Sequence, residues 1–172
     1  MACISKMEDA PADVLMETAA YLRRVRDLVA KPGAYRPHDR YGLGGIAFDE
    51  RGLSVDPAAK EAVVFTPYGA LARARDAAWI EVNTGQVDVL PVGSRIISGR
   101  GQLIHQIAWE AIARAGRWES RHVGTKMDGM GLHDFLRLVE KAAVLLDVRA
   151  ERVDREVGML STGGGEHTEP AP

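Results

Sequence analysis

The sequence contains little cysteine, few aromatic residues and no strong excess of either charge. Its one cysteine, Cys3, cannot form an internal disulfide, so the cysteine content gives no support to a secreted fold. No neighbouring base is in place to activate this terminal thiol, and we expect it to be chemically idle. The formal net charge of −2 over 172 residues argues against non-specific binding of nucleic-acid phosphates through overall positive charge.

Long apolar runs are also missing. No stretch approaches the roughly 18 apolar residues that span a bilayer, and the acidic segment 1–10 is unlike a secretory signal, so we expect a cytoplasmic protein. The 46% hydrophobic and 27% charged residues are typical of a globular domain. We predict a single helical domain over 11–160, a flexible N-terminus over 1–10 and a disordered, glycine-rich tail over 161–172.

Four segments show the three-to-four-residue apolar spacing of amphipathic helices. The first ends at Lys31-Pro32-Gly33, and the others cover about 67–79, 102–115 and 132–148, the last with a charged continuation to about Val157. Gly116 is predicted to stop the third helix. Ile46 and Phe48 suggest a short strand. The main extended region is expected over 83–97, and because Pro91 lacks the N–H that a central strand needs, this region is predicted to be an edge hairpin or an irregular loop.

These patterns predict a mainly α fold, a compact bundle of about four helices. A small extended or β-hairpin insertion is expected between the second and third helices. Residues 34–44 and 117–131 are predicted to be loops, because glycine, arginine and other polar residues replace the helical apolar spacing there. Loops carry function more often than their share of the chain, so both segments are candidates for a binding surface.

Three motifs occur in a recognisable order. They are Gly33-Ala34-Tyr35, then Thr66-Pro67-Tyr68-Gly69-Ala70-Leu71, then His133-Asp134-Phe135-Leu136 followed by Ala142-Ala143. This order resembles an uncharacterised family of small bacterial and phage proteins, a domain of unknown function, over about 15–148. The resemblance implies a helical fold and a phage or mobile-element origin. It lends no activity, and Thr66 stands where members usually carry cysteine.

Thr66, His133 and Asp128 are the candidate catalytic residues. A hydroxyl at a helix N-terminus lies close to free N–H groups that could stabilise an oxyanion, and a histidine within reach could activate it for acyl transfer. This small hydrolase is one alternative. The other assigns Thr66 to an N-cap and His133 to the start of the last helix, and we favour it because threonine is a poor nucleophile without a base.

Metal and phosphate signals are weak. No two histidines are three or four residues apart, and a second cysteine is missing, so we expect no metal and no cofactor. The glycine-rich stretch 41–45 lacks the elements of a phosphate loop. The stretch 99–102 precedes a helix, where Arg100 could help to hold an anion, but a plain turn is the favoured interpretation.

The leading hypothesis is a non-catalytic binding or adaptor protein that acts through a protein partner. Arginine, tryptophan and tyrosine dominate the energetics of protein interfaces, and they cluster in 34–45 and 117–131. The residues predicted to contact the partner are Tyr35, Arg36, Tyr41, Arg117, Trp118 and Arg121. A further alternative is a nucleic-acid-binding accessory protein that uses Arg114, Arg117 and Arg121.

Overall fold

A computed structural model describes residues 5–38, 45–82 and 99–162 of the chain. Five helices dominate it, and the predicted mainly α fold is confirmed. In chain order the elements are α1 (Ala12–Val29), β1 (Ala47–Phe48), β2 (Val64–Phe65), α2 (Pro67–Val82), α3 (Gly99–Gly116), a 3₁₀ turn (Ser120–His122), α4 (Val123–Asp128) and α5 (Leu132–Thr162).

The core lies where α1, α3 and α5 meet. Leu15 and Leu22, one heptad apart on α1, are fully buried, as are Ile107 of α3 and Phe135 and Leu146 of α5. Their regular spacing places each helix's apolar stripe inward, which removes that surface from water at roughly 25 cal/mol per Å². The predicted stripes therefore form the centre of the domain.

Ion pairs along one edge fix the relative direction of α1 and α5. Arg23 pairs with Asp147, and Arg26 pairs with Glu140. The residue number rises along α1 while it falls along α5, so the two helices are antiparallel. All four side chains are partly solvated, so we assign them a role in register more than in stability.

The described hairpin lies between α1 and α2, whereas the sequence placed the insertion between the second and third helices. β1 and β2 are antiparallel, with Phe48 opposite Val64, and Tyr35 adds a parallel bridge to Phe65. β1 lies where Ile46 and Phe48 predicted a short strand, whereas β2 was not predicted, because two residues are too few to give a period-two pattern. The predicted extended region at 83–97 lies outside the described residues.

The segment 117–131 contains helical structure where a loop was predicted. A 3₁₀ turn leads into α4, whose Val123 and Met127 are fully buried. These two residues are four apart, so they share one face of a helix, but a six-residue helix is too short for its spacing to stand out from a loop.

The described part of the N-terminal segment, residues 5–10, packs on the domain, which differs from the flexible segment predicted for 1–10. Met7 is 3% exposed and Ala10 is 6% exposed. The Met7 N–H also donates to a carboxylate oxygen of Glu110 on α3, at 3.1 Å. Two buried apolar side chains and this bond offset the entropy of ordering the segment.

The end of α3 supports a stability prediction. The left-handed residue there is Arg117, with φ of 57°, and not the predicted stop Gly116. The Trp118 N–H donates to the Ala113 carbonyl at 2.8 Å, which closes the helix around Arg117. The Trp118 ring lies 2.5 Å from where a Cβ on Gly116 would stand, so that glycine gives room for the ring.

We expect Arg117→Gly to raise the free energy of unfolding by about 0.5–1 kcal/mol, because glycine adopts positive φ without steric cost. Arg117→Ala removes the same side chain and keeps the strain, so it should give no such gain. Urea denaturation of the two variants and the parent checks this. Equal stability of the glycine and alanine variants would show that the left-handed geometry carries no cost.

Candidate functional site

A cleft of about 880 Å³ lies between α2 and α3. We name it the α2–α3 cleft. The walls include Tyr68, Leu71 and Arg75 from α2, His105, Trp109, Glu110 and Arg114 from α3, and Lys6 and Ile46 from the flanking segments. Its volume lies in the range of pockets that receive a small molecule or the side chains of a partner.

Four rings form a continuous row, in which Tyr68, Trp109 and His105 line the cleft and His38 lies next to Tyr68. The Tyr68 and Trp109 centroids lie 6.0 Å apart, and His105, four residues before Trp109 on α3, lies 6.0 Å from it on its other side. His38 meets Tyr68 edge-on at 6.4 Å. The Trp109 indole N–H donates to the Ser120 carbonyl at 3.1 Å, which fixes the ring's orientation. Rigid, half-buried aromatic rings are good anchoring surfaces because little entropy is lost when a ligand covers them.

A half-buried cation stands beside the row. Arg75 forms no ion pair with the carboxylates that the structure describes, and its Nε is buried without a hydrogen-bond acceptor. The His105 Nδ1 is also buried and unpartnered. The pKa of His105 is lowered, mainly by burial and to a smaller extent by the positive charge of Arg75, and this favours the neutral imidazole. Arg114 differs, since Glu8 and Glu110 already neutralise it.

Asp128 lies at the other end of the aromatic row. Its Oδ1 is 3.9 Å from the His38 Nδ1, and both atoms are buried without a hydrogen-bond partner. The His38 N–H donates to the Asp128 carbonyl at 2.7 Å. Burial, and then the Asp128 charge, raise the pKa of Tyr68. The two segments predicted to form a binding surface therefore meet here, with Asp128 next to His38.

The other two catalytic candidates occupy different environments. Thr66 is 1% exposed, and its hydroxyl donates to the Ile46 carbonyl at 3.0 Å while accepting the Gly69 N–H at 3.2 Å. The bond from Gly69 caps α2, and the bond to Ile46 ties the cap to the segment before β1, so both hydrogen-bonding functions of the hydroxyl are occupied. His133 is exposed in the first turn of α5. A buried, fully bonded hydroxyl offers no nucleophile to a substrate.

Tyr35 and Trp118, two of the predicted partner contacts, are partly internal. The Tyr35 hydroxyl donates to the Met130 carbonyl at 2.6 Å, its ring stacks on Phe135 at 5.6 Å, and burial raises its pKa to about 12. Trp118 is half-buried against Gly116. Both side chains therefore help to hold the domain together.

The predicted arginine contacts are exposed. Arg36 lies 4.7 Å over the Phe48 ring, and Arg117 is exposed at the end of α3. Arg121 is exposed and pairs with Glu119 at 2.6 Å. Tyr41 lies outside the described residues.

Sequence reasoning missed Arg75, Tyr68 and Trp109 as site residues. The four-residue spacing of His105 and Trp109 was the available signal, since it puts both rings on one face of a helix. Nothing local linked that face to Arg75, which comes from another helix.

Comparison of the chain with models of protein families, with curated proteins and with solved structures found no match. The resemblance stated above therefore stays a prediction. Among the described residues, no three side chains of histidine, cysteine, aspartate or glutamate converge as they would around a metal ion. None of the described helices combines the length and apolarity needed to cross a bilayer.

Proposed function

We propose that the protein is a non-catalytic binding or adaptor protein whose α2–α3 cleft receives an anchoring side chain from a protein partner. The observation that carries this proposal is the row of Tyr68, Trp109 and His105 along an open cleft of about 880 Å³. Aromatic and arginine side chains in a partly desolvated pocket are the typical energetic centre of a protein interface.

The environments of the other candidates support binding over hydrolysis. The Thr66 hydroxyl caps α2 through the Gly69 N–H and donates its proton to the Ile46 carbonyl, and His133 is exposed on another helix. A hydrolase would need a nucleophile within hydrogen-bond reach of its base and open to the substrate.

The charge pairing favours a protein partner over a nucleic acid. Arg114 and Arg121 each contact a carboxylate, so their charges are partly neutralised before any phosphate arrives. Counterion release by phosphates requires free, clustered cations. A cytoplasmic location and a phage or mobile-element origin belong to the same proposal, and the origin is supported only by the resemblance in the sequence.

Selection of random heptapeptides displayed on a carrier, with the full chain as bait, tests the proposal. We expect the enriched peptides to bind at micromolar concentration and to lose at least about tenfold in affinity on Trp109→Ala, since loss of an aromatic hot spot costs about 2 kcal/mol or more. Val148→Ala is the matched control, because it truncates an exposed apolar side chain of α5 that lies outside the cleft walls. Peptides that bind parent and Trp109→Ala equally would exclude the cleft as the binding site.

A further inference from the structure

We infer that the α2–α3 cleft recognises an acidic anchor, a carboxylate beside an apolar or aromatic side chain, with the carboxylate seated between Arg75 and His105. The inference rests on the proposed function and names the chemistry of the partner. The occupant we infer is the C-terminal end of a partner chain with an apolar or aromatic last residue, because one residue then presents both the carboxylate and the apolar body.

The state of Arg75 is the first support. A guanidinium removed from water without a counter-charge is destabilising, which is why buried arginines are normally paired. Arg75 is half-buried, its Nε is fully shielded, and the described residues give it no carboxylate. A carboxylate bound to the part of the guanidinium that lines the cleft would supply the missing charge, and arginine's planar fork matches that group well.

The charge balance of the walls points the same way. The charged side chains of the walls are Lys6, Arg75, Arg114 and Glu110. Glu110 and Glu8, which lies next to the walls, neutralise Arg114, so Lys6 and Arg75 carry the remaining positive charge. Glu110 is already engaged by Arg114 and by the backbone N–H of Met7. The cleft therefore has a positive excess in a chain whose net charge is −2. Such a local field draws in an anionic ligand and repels a cationic one.

The apolar part of the anchor has its own surface. Ile46 and Leu71 line the cleft together with Tyr68 and Trp109. A small inorganic anion would leave these side chains uncovered, whereas an apolar or aromatic group attached to the carboxylate would bury them. The geometry thus favours an anchor with a charged end and an apolar body.

His105 adds a dependence on pH. The groups that share the cleft with it are Arg75 on α2, Glu110 and Arg114 on α3, and Lys6 and Tyr68. Burial and Arg75 hold the pKa of His105 below its ordinary value in the free protein, and a bound carboxylate would raise that pKa. Binding would then take up a proton, so affinity for the carboxylate should increase as pH falls through the range between the two pKa values.

Titration of the full chain with N-acetyl-phenylalanine and with N-acetyl-phenylalaninamide, followed by NMR of the Trp109 indole N–H, tests the inference. The two probes differ only in the carboxylate. We expect the acid to bind about tenfold more tightly than the amide, since a charge-assisted hydrogen bond in a half-buried site is worth about that factor. Arg75→Gln should remove the preference, whereas Arg137→Gln, which makes the same charge change at an exposed residue of α5 outside the cleft, should keep it.

The outcomes separate the two proposals. Equal binding of acid and amide to the parent chain would overturn the acidic anchor and leave the cleft as a binding site. No shift of the Trp109 signal with either probe would overturn both. The described residues give Arg75 no charge partner to lose, so Arg75→Gln should remain folded. Unfolding of that variant would mean that the charge is already compensated, which contradicts the inference.

Discussion

Replacing Gly69 with alanine is expected to lower the free energy of unfolding by about 3 kcal/mol. A Cβ at this position would stand 1.8 Å from the Ile46 carbonyl oxygen and 2.7 Å from its carbon. That carbonyl accepts both the backbone N–H and the hydroxyl of Thr66, each at 3.0 Å. The backbone at Ile46 therefore cannot withdraw without breaking two hydrogen bonds at the start of α2.

Urea denaturation of the Gly69→Ala variant measures this effect. Gly158→Ala is the matched control, because Gly158 is exposed on α5 and a Cβ there would meet nothing within 4 Å. The control should be neutral or stabilising by up to about 1 kcal/mol, the gain in helix propensity from glycine to alanine. If the Gly69→Ala variant were as stable as its parent, Gly69 of α2 could not lie as close to the Ile46 carbonyl as the structure places it.

The sequence allowed prediction of those elements whose signal is local. The stripes through Leu15 and Leu22 and through Phe135 and Leu146 extend over several turns, so the helical period is evident and the inward face follows from it. The Thr66 cap was likewise readable, since Thr-Pro before an apolar run is a helix start whatever the rest of the chain does.

Features that depend on distant contacts could not be read in this way. The hairpin has two-residue strands held by a bridge from Tyr35, and α4 is helical because Val123 and Met127 are buried by the rest of the domain. Arg117 takes the left-handed position because Gly116 is needed under the Trp118 ring, a contact with no signature in the order of residues.

The candidate site depends even more on contacts between distant segments, so less of it could be predicted from the sequence. Arg75 and His105 come from different helices, and the segment between them carries no pattern that would place them together. Their significance lies in an unpaired Nε and a buried Nδ1, which are properties of the folded surroundings. Asp128 was chosen from the sequence as a partner for His133, yet tertiary structure places it beside His38.

Gly124 of α4 lies against Tyr68 in the cleft. We therefore expect substitutions at these two residues to be coupled in their effects on the free energy of unfolding. A Cβ on Gly124 would stand 1.8 Å from the Tyr68 hydroxyl oxygen but 3.1 Å from the ring carbon that bears it. Gly124→Ala should therefore cost about 2 kcal/mol of stability, and Tyr68→Phe alone should cost little, because the described residues give that hydroxyl no hydrogen-bond partner. In the Tyr68→Phe background the 1.8 Å contact is removed, and the remaining 3.1 Å contact needs the ring to shift by only a few tenths of an ångström, while alanine's better helix propensity remains.

The double-mutant cycle should accordingly show a favourable coupling of about 2 kcal/mol, far beyond the few tenths expected for independent sites. Binding of N-acetyl-phenylalanine gives a second readout. Gly124→Ala displaces the Tyr68 ring within the cleft and should weaken the probe, and adding Tyr68→Phe should restore it, because the phenyl ring can return to its place. Equal costs of Gly124→Ala in both backgrounds would mean that Tyr68 does not lie over α4. The aromatic row on which the proposed binding site depends would then be wrongly placed.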